Sequence, residues 1–301
     1  MRRLSRASKP MKPAAVSQLS LGIEKSREPD RNFNKGGRSF YFFDFDDNIA
    51  CLSTPIILFH KQTGQPVELS SQQFAEVSES IGKYGPFQDF QLDFDDHSGS
   101  FQYFRDKSFK VIDRLLGKQQ TFLKDLESAL VKKDFIWQGP SWSCFHHAVY
   151  NQRPVSLITA RGHAPETMQA GMELMVYYGY LPHVPNYLSV FPVSHPPTMN
   201  QLKDEGQAPD IAQLKQAAIR KSVETALQQY GNNPHHRFGM SDDDPKNVRL
   251  IFDEMTRLKR QYTEMSFFVI STHQGQFVKR EIFLDSENRP QLQAQEQLSL
   301  F

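Results

Sequence analysis

Cysteine is nearly missing from this chain: its 301 residues include two, Cys51 and Cys144. Two thiols cannot supply a disulfide framework or a four-ligand zinc site, and their scarcity fits a reducing, cytoplasmic compartment. Long apolar runs are missing too, so no membrane span is expected. No apolar stretch follows Arg2 and Arg3, which argues against a secretory signal. A large net charge is also lacking, at +1 for 35 basic and 34 acidic side chains. What the chain does hold is 39% apolar residues, including 24 phenylalanines. That is enough for a sizeable core and excludes a wholly disordered polymer. The length suits one large domain, or one domain carrying an insertion.

The even charge balance hides an asymmetry. Residues 1–38 carry ten Lys/Arg against three Asp/Glu, which leaves the rest of the chain net acidic. This opening segment is rich in Ser and Pro, poor in aromatics and without a sustained period. It reads as a disordered basic tail suited to meeting polyanions such as DNA. After Asp285 the chain turns polar and Gln-rich, so 284–301 is expected to be a flexible tail.

Between the tails the pattern alternates. Residues 39–43 form a short apolar run of β-favouring residues, as expected for a strand buried on both faces. Similar runs occupy 155–159, 187–191, 237–241 and 266–271. Helical stripes separate them. Pro165 opens one helix that carries Met168, Met172 and Met175, and Gly179 suits its end. Asp210 and Gln213 form a capping-box pattern ahead of Leu214, Ala218 and Leu227. Val248, Ile251, Met255 and Leu258 mark a third. Strand and helix in alternation predict an α/β fold with a doubly wound parallel sheet. About a hundred residues separate the first two strands, far more than one crossover needs. They contain helical stripes (Phe74, Val77, Ile81; Val111, Ile112, Leu115; Phe122, Leu126, Leu130). The predicted organisation is therefore a core of 39–50 and 141–283, with a mainly helical cap at about 51–140.

The first strand runs into Asp44-Phe45-Asp46-Asp47-Asn48. Alternation along an extended chain points Asp44 and Asp46 to one side. Two carboxylates brought together call for a cation or a shared proton. Magnesium is the hard cation that accepts one or two carboxylates plus phosphate oxygens. The second strand ends in Thr159-Ala160-Arg161-Gly162, and the fourth in Ser241-Asp242-Asp243-Asp244. Lys221, 21 positions before Asp242, is the candidate ammonium, with Lys215 second because it lies further away.

Four such motifs in order resemble the haloacid dehalogenase-like (HAD) phosphohydrolase superfamily. Asp44 and Asp46 match its first motif, Thr159 its second, Lys221 its third and Asp242–Asp243 its fourth. Asn48 departs from the Thr or Val usual in that family. The resemblance implies an aspartyl-phosphate mechanism with Mg2+. Asp44 would be the nucleophile and Asp46 the general acid and base. Thr159, Lys221 and Arg161 would bind the substrate phosphate. Asp44, Asp46 through its backbone carbonyl, and Asp242 or Asp243 would hold the metal. The dehalogenase members lack the second acid, so Asp46 favours phosphate esters.

Other features carry plainer readings. Leu92-Asp93-Phe94-Asp95-Asp96 imitates the first motif but lacks a comparable strand before it, so an acidic cap loop is expected. The pairs His146–His147 and His235–His236 lack metal-ligand spacing. Trp137 and Trp142 are expected to pack where cap meets core.

The chain ends Gln297-Leu298-Ser299-Leu300-Phe301. This resembles the pentapeptide by which bacterial polymerases and repair proteins dock on the sliding clamp. Three apolar anchors on a polar tail have no evident intramolecular purpose. The expected function is a bacterial magnesium phosphatase, with DNA ends or nucleotides as candidate substrates. A small-metabolite phosphatase and a non-catalytic clamp-associated scaffold are the alternatives.

Overall fold

The structure is a computed structural model that describes residues 26–110, 117–132, 134–203, 209–273 and 276–294. The basic segment 1–25, the stripe at 111–116 and the terminal pentapeptide lie outside the described residues.

A seven-stranded sheet has the order β10-β9-β8-β7-β1-β5-β6. Strands β1 (Ser39–Phe43), β5 (Pro154–Thr159), β6 (Asn186–Pro192), β7 (Arg237–Asp242) and β8 (Ser266–Ser271) run parallel. β9 (Val278–Leu284) and β10 (Pro290–Ala294) add an antiparallel edge. The expected parallel sheet is present. The flexible tail expected at 284–301 is corrected as far as residue 294, because Pro290–Ala294 is the edge strand, and 295–301 lie outside the described residues. Its pairing from Pro290↔Leu284 to Ala294↔Arg280 gives the Gln-rich segment a backbone ladder that composition does not reveal.

The first strand shows why the sheet is covered on both sides. Phe40 and Phe42 join one apolar cluster, with helices α6 (Ile211–Tyr230) and α7 (Pro245–Gln261). Tyr41 and Phe43 face the other, with α2 (Thr121–Val131), α3 (Trp142–Tyr150) and α4 (Pro165–Tyr177). Burying one such phenylalanine contributes about 1.5–3 kcal/mol. Helix starts follow the expected local chemistry. Pro165 occupies the first turn of α4, and Asp210 and Gln213 close a reciprocal capping box on α6. A short helix, α5 (Pro196–Leu202), precedes α6.

Residues 51–140 depart from the mainly helical cap that was expected. β2 (Ile56–His60), β3 (Pro66–Leu69) and β4 (Phe90–Gln91) form an antiparallel sheet in the order β3-β2-β4. Gly64, at φ +69°, makes the turn between β2 and β3. α1 (Ser71–Val77) is a short capped helix beside β3. The helix α2 belongs to the core instead. Its Phe122 lies so close to Gly171 of α4 that a Cβ there would come within 2.6 Å of the ring. The amino-terminal boundary also moves. Buried Asp30 accepts the Ser39 amide and pairs with Arg153 at 2.9 Å, so 26–38 packs on the core rather than forming a tail. Trp137 packs edge-on against Trp142 and Tyr180, as its predicted junction role requires.

Candidate active site

Central strands β1 and β7 end side by side, with Phe43 opposite Ser241. The Asp44 amide then donates to the Ser241 carbonyl at 3.0 Å, which keeps the two acidic turns in step. Asp44, Asp242 and Asp243 thereby converge: one carboxylate oxygen from each lies within 4.8 Å of the others. Asp44 and Asp242 are buried, and Asp243 is half-buried. Thr159, fully buried, ends β5 on the other side of β1, and its hydroxyl accepts the Arg161 amide at 3.3 Å.

The lysine is corrected. Lys215 Nζ donates to Asp242 Oδ2 at 2.8 Å and lies 3.4 Å from Asp44 Oδ1. Lys221 is half-exposed and approaches Glu224 at 3.8 Å. Counting back from Asp242 misleads, because the controlling distance is measured from the start of α6. A helix that follows a parallel strand begins at the carboxyl edge of the sheet. Six more residues carry Lys221 about 9 Å along the axis and off the buried face. Buried Leu214, Ala218, Ile219 and Ser222 form a stripe that includes Lys215 and omits Lys221. That stripe was the usable signal.

Arg161 takes a buried position. It does not point outward as a surface arginine; its side chain is 1% exposed and grips Asp46. Nε donates to both Asp46 oxygens at 3.0 and 2.9 Å, and Nη2 donates to Oδ1 at 2.6 Å. The guanidinium also faces the rings of Phe104 and Phe122, at 4.7 and 4.9 Å. Arg161 thus fixes the orientation of Asp46 through Nε and Nη2, while its Nη1 is buried without a hydrogen-bond partner.

Asn48, which sequence reading treated only as a departure, has a structural part at this centre. It is buried, and its amide nitrogen donates to the Asp44 carbonyl, the Ser241 carbonyl and the Ser241 hydroxyl at 2.9–3.1 Å. Its oxygen accepts the Thr272 hydroxyl at 2.9 Å. One neutral side chain therefore braces the ends of β1, β7 and β8. Asp47 adopts φ +52°, an unusual conformation that Asp tolerates better than most residues.

Charge is concentrated in this pocket. Burial pushes Asp44 well above the usual carboxylate range; Lys215 opposes this, and Asp242, Asp243 and Asp46 add to it. Burial, followed by repulsion from Asp242 and Asp47, raises Asp243 to about 8. Burial works against the Lys215 ammonium, but Asp242 and Asp44 outweigh it and hold the group above the ordinary lysine value.

The donor set fits a hard divalent cation. All three groups offer anionic oxygen, and with one oxygen of each within 4.8 Å of the others a single small cation could be shared among them. Asp44 Oδ1 is buried without a hydrogen bond. Among the described residues no histidine joins a potential metal group, and His236 instead accepts the Arg38 amide. No described helix is long and apolar enough to cross a membrane. Compared with known proteins, the chain matches no family model, no curated sequence and no solved structure.

Proposed function

We propose that the chain is a magnesium-dependent phosphomonoesterase of the haloacid dehalogenase-like type. The observation that carries this reading is the convergence of Asp44, Asp242 and Asp243 around a buried, unbonded carboxylate oxygen, with Lys215 against it. Asp44 attacks phosphorus in line and becomes the aspartyl-phosphate. Asp46, oriented by Arg161, protonates the leaving oxygen and then takes a proton from the attacking water. Thr159 and Lys215 hold the phosphoryl oxygens. Magnesium bound by Asp44, Asp242 or Asp243 and the Asp46 carbonyl would neutralise charge on the transferring group.

The substrate is proposed to be a phosphate on a DNA end or nucleotide. The support is the basic amino-terminal segment and the resemblance of 297–301 to a clamp-docking peptide. One feature favours a small metabolite phosphate instead. Asp96 pairs with Arg105 at 2.8 Å, and the Arg105 backbone bridges to Gly162, which brings the acidic loop towards the Thr159 turn. Such a loop would repel a polyanion. Turnover of 3′-phosphorylated oligonucleotides and of para-nitrophenyl phosphate with magnesium distinguishes the two. Hydrolysis of the small ester alone would refute the DNA substrate; hydrolysis of neither, or rates unchanged in Asp44→Asn, would refute the phosphatase. Deleting 297–301 is expected to abolish clamp binding and leave small-ester hydrolysis intact.

A further inference from the structure

The sheet carries a second concentration of charge, opposite in sign to the carboxylate centre. Phe238, Met240, Phe267 and Val269 pack with α7 in one apolar cluster. Their alternates Arg237, Gly239, Phe268 and Ile270 therefore turn to the other face. They line a hollow of about 260 Å3 with Tyr41, Lys279 and the chain around Arg31. Cations dominate it. The Arg237 guanidinium lies 4.7 Å from the centre of the Phe268 ring, and the Lys279 ammonium 4.3 Å from the same ring. Two acids lie close by: Glu28 lines the hollow, and Glu281, opposite Phe268 on β9, partly offsets Arg237 and Lys279. The nearest buried acid, Asp30, is already taken by Arg153 and the Ser39 amide. Arg153 itself lines the hollow and keeps a buried Nε with no partner.

Four cations, Arg31, Arg153, Arg237 and Lys279, line the hollow against one lining acid, Glu28, and crowding half-buried cations in this way is costly without an anion. Burial, followed by a neighbouring cation, lowers both Lys279 and Arg237 from their ordinary values, and Glu281 opposes this only in part. We propose that this hollow is a binding site for a small organic phosphate, distinct from the carboxylate centre. Arg31, Arg237 and Lys279 supply donors to the phosphate oxygens, and Phe268 and Tyr41 form an apolar wall for the organic part. The amino-terminal basic segment is a poor rival occupant, since it would add positive charge to positive charge.

Calorimetric titration of the full chain in EDTA tests this, because without a cation the three carboxylates repel anions. Inorganic phosphate and AMP are the two probes. One site is expected, with AMP binding more tightly than phosphate. The double variant Arg237→Gln/Lys279→Gln should weaken AMP at least tenfold and leave para-nitrophenyl phosphate hydrolysis with magnesium unchanged. The exposed Arg31→Gln should weaken AMP several-fold, and it provides the test if the double variant does not fold. No binding of either probe, or affinity unaffected by these substitutions, would overturn the proposal. Binding of phosphate with AMP excluded would overturn the organic-phosphate assignment.

Discussion

The chain contains Asp-Phe-Asp-Asp twice, at 44–47 and at 93–96, and the two copies live in opposite environments. In the first, Phe45 is fully buried and anchors the turn beneath the carboxylates. In the second, Phe94 is 73% exposed and stacks on Phe101 of the insertion. Burial pushes Asp44 up, whereas hydrogen bonds from the Ser98 backbone, the Ser98 hydroxyl and the His97 backbone pull Asp95 down. The same four residues thus make a strained carboxylate pocket in one place and a satisfied surface turn in the other. The difference lies in what precedes each copy and what is packed against it. A buried parallel strand delivers the first copy to Lys215, Asp242 and Asn48, and the second has no such delivery.

The sharpest test of this contrast replaces one acid in each copy. Asp44→Asn is expected to reduce hydrolysis of para-nitrophenyl phosphate by more than about a thousandfold. Asp93→Asn should leave it unchanged; comparable losses in both would break the comparison. The next effect separates the two lysines of α6. Lys215→Gln should reduce kcat by roughly a hundredfold or more, and Lys221→Gln by less than about twofold.

A third test lies between the two copies. His163 is fully buried, with neither ring nitrogen hydrogen-bonded. Burial first, then Arg161 and Arg105, hold it down at about 2. Arg161 grips Asp46 of the first copy, and Arg105 pairs with Asp96 of the second. The unfolded chain takes up a proton below the ordinary value of 6.5, and the folded chain does not. The stability contribution of the neutral ring is therefore present above that value and lost as the pH falls. Between pH 7 and pH 5 the loss is about 2 kcal/mol. Denaturant titrations of His163→Gln should show a flatter pH dependence over that interval; equal slopes would contradict the assignment. The smallest effect is Asp95→Asn, which should slightly lower the melting temperature without changing turnover.

Much of this architecture is legible in the sequence. The five parallel strands, the capping box at Asp210 and the acidic turn after β1 all come from local chemistry that survives in the fold. The strands β2, β3 and β10 do not. Each depends on a partner supplied by another stretch of chain, and a Gln-rich segment carries no sign that an edge is waiting for it. The site was read in the same divided way. Asp44, Asp242 and Asp243 lie at strand ends, where position along the chain determines position in space. Lys215 and Arg161 required helix phase and burial, which sequence distance from Asp242 does not measure.

The brace formed by Asn48 bears on ion selection. Because an uncharged amide fastens the three strand ends, the receptacle cannot easily widen when its negative groups repel one another, or contract when they are neutralised. A fixed aperture of this kind discriminates by ionic radius. For the proposed magnesium enzyme, the small octahedral ion would be accommodated, while calcium, with its longer bonds and larger coordination number, would meet walls that do not yield.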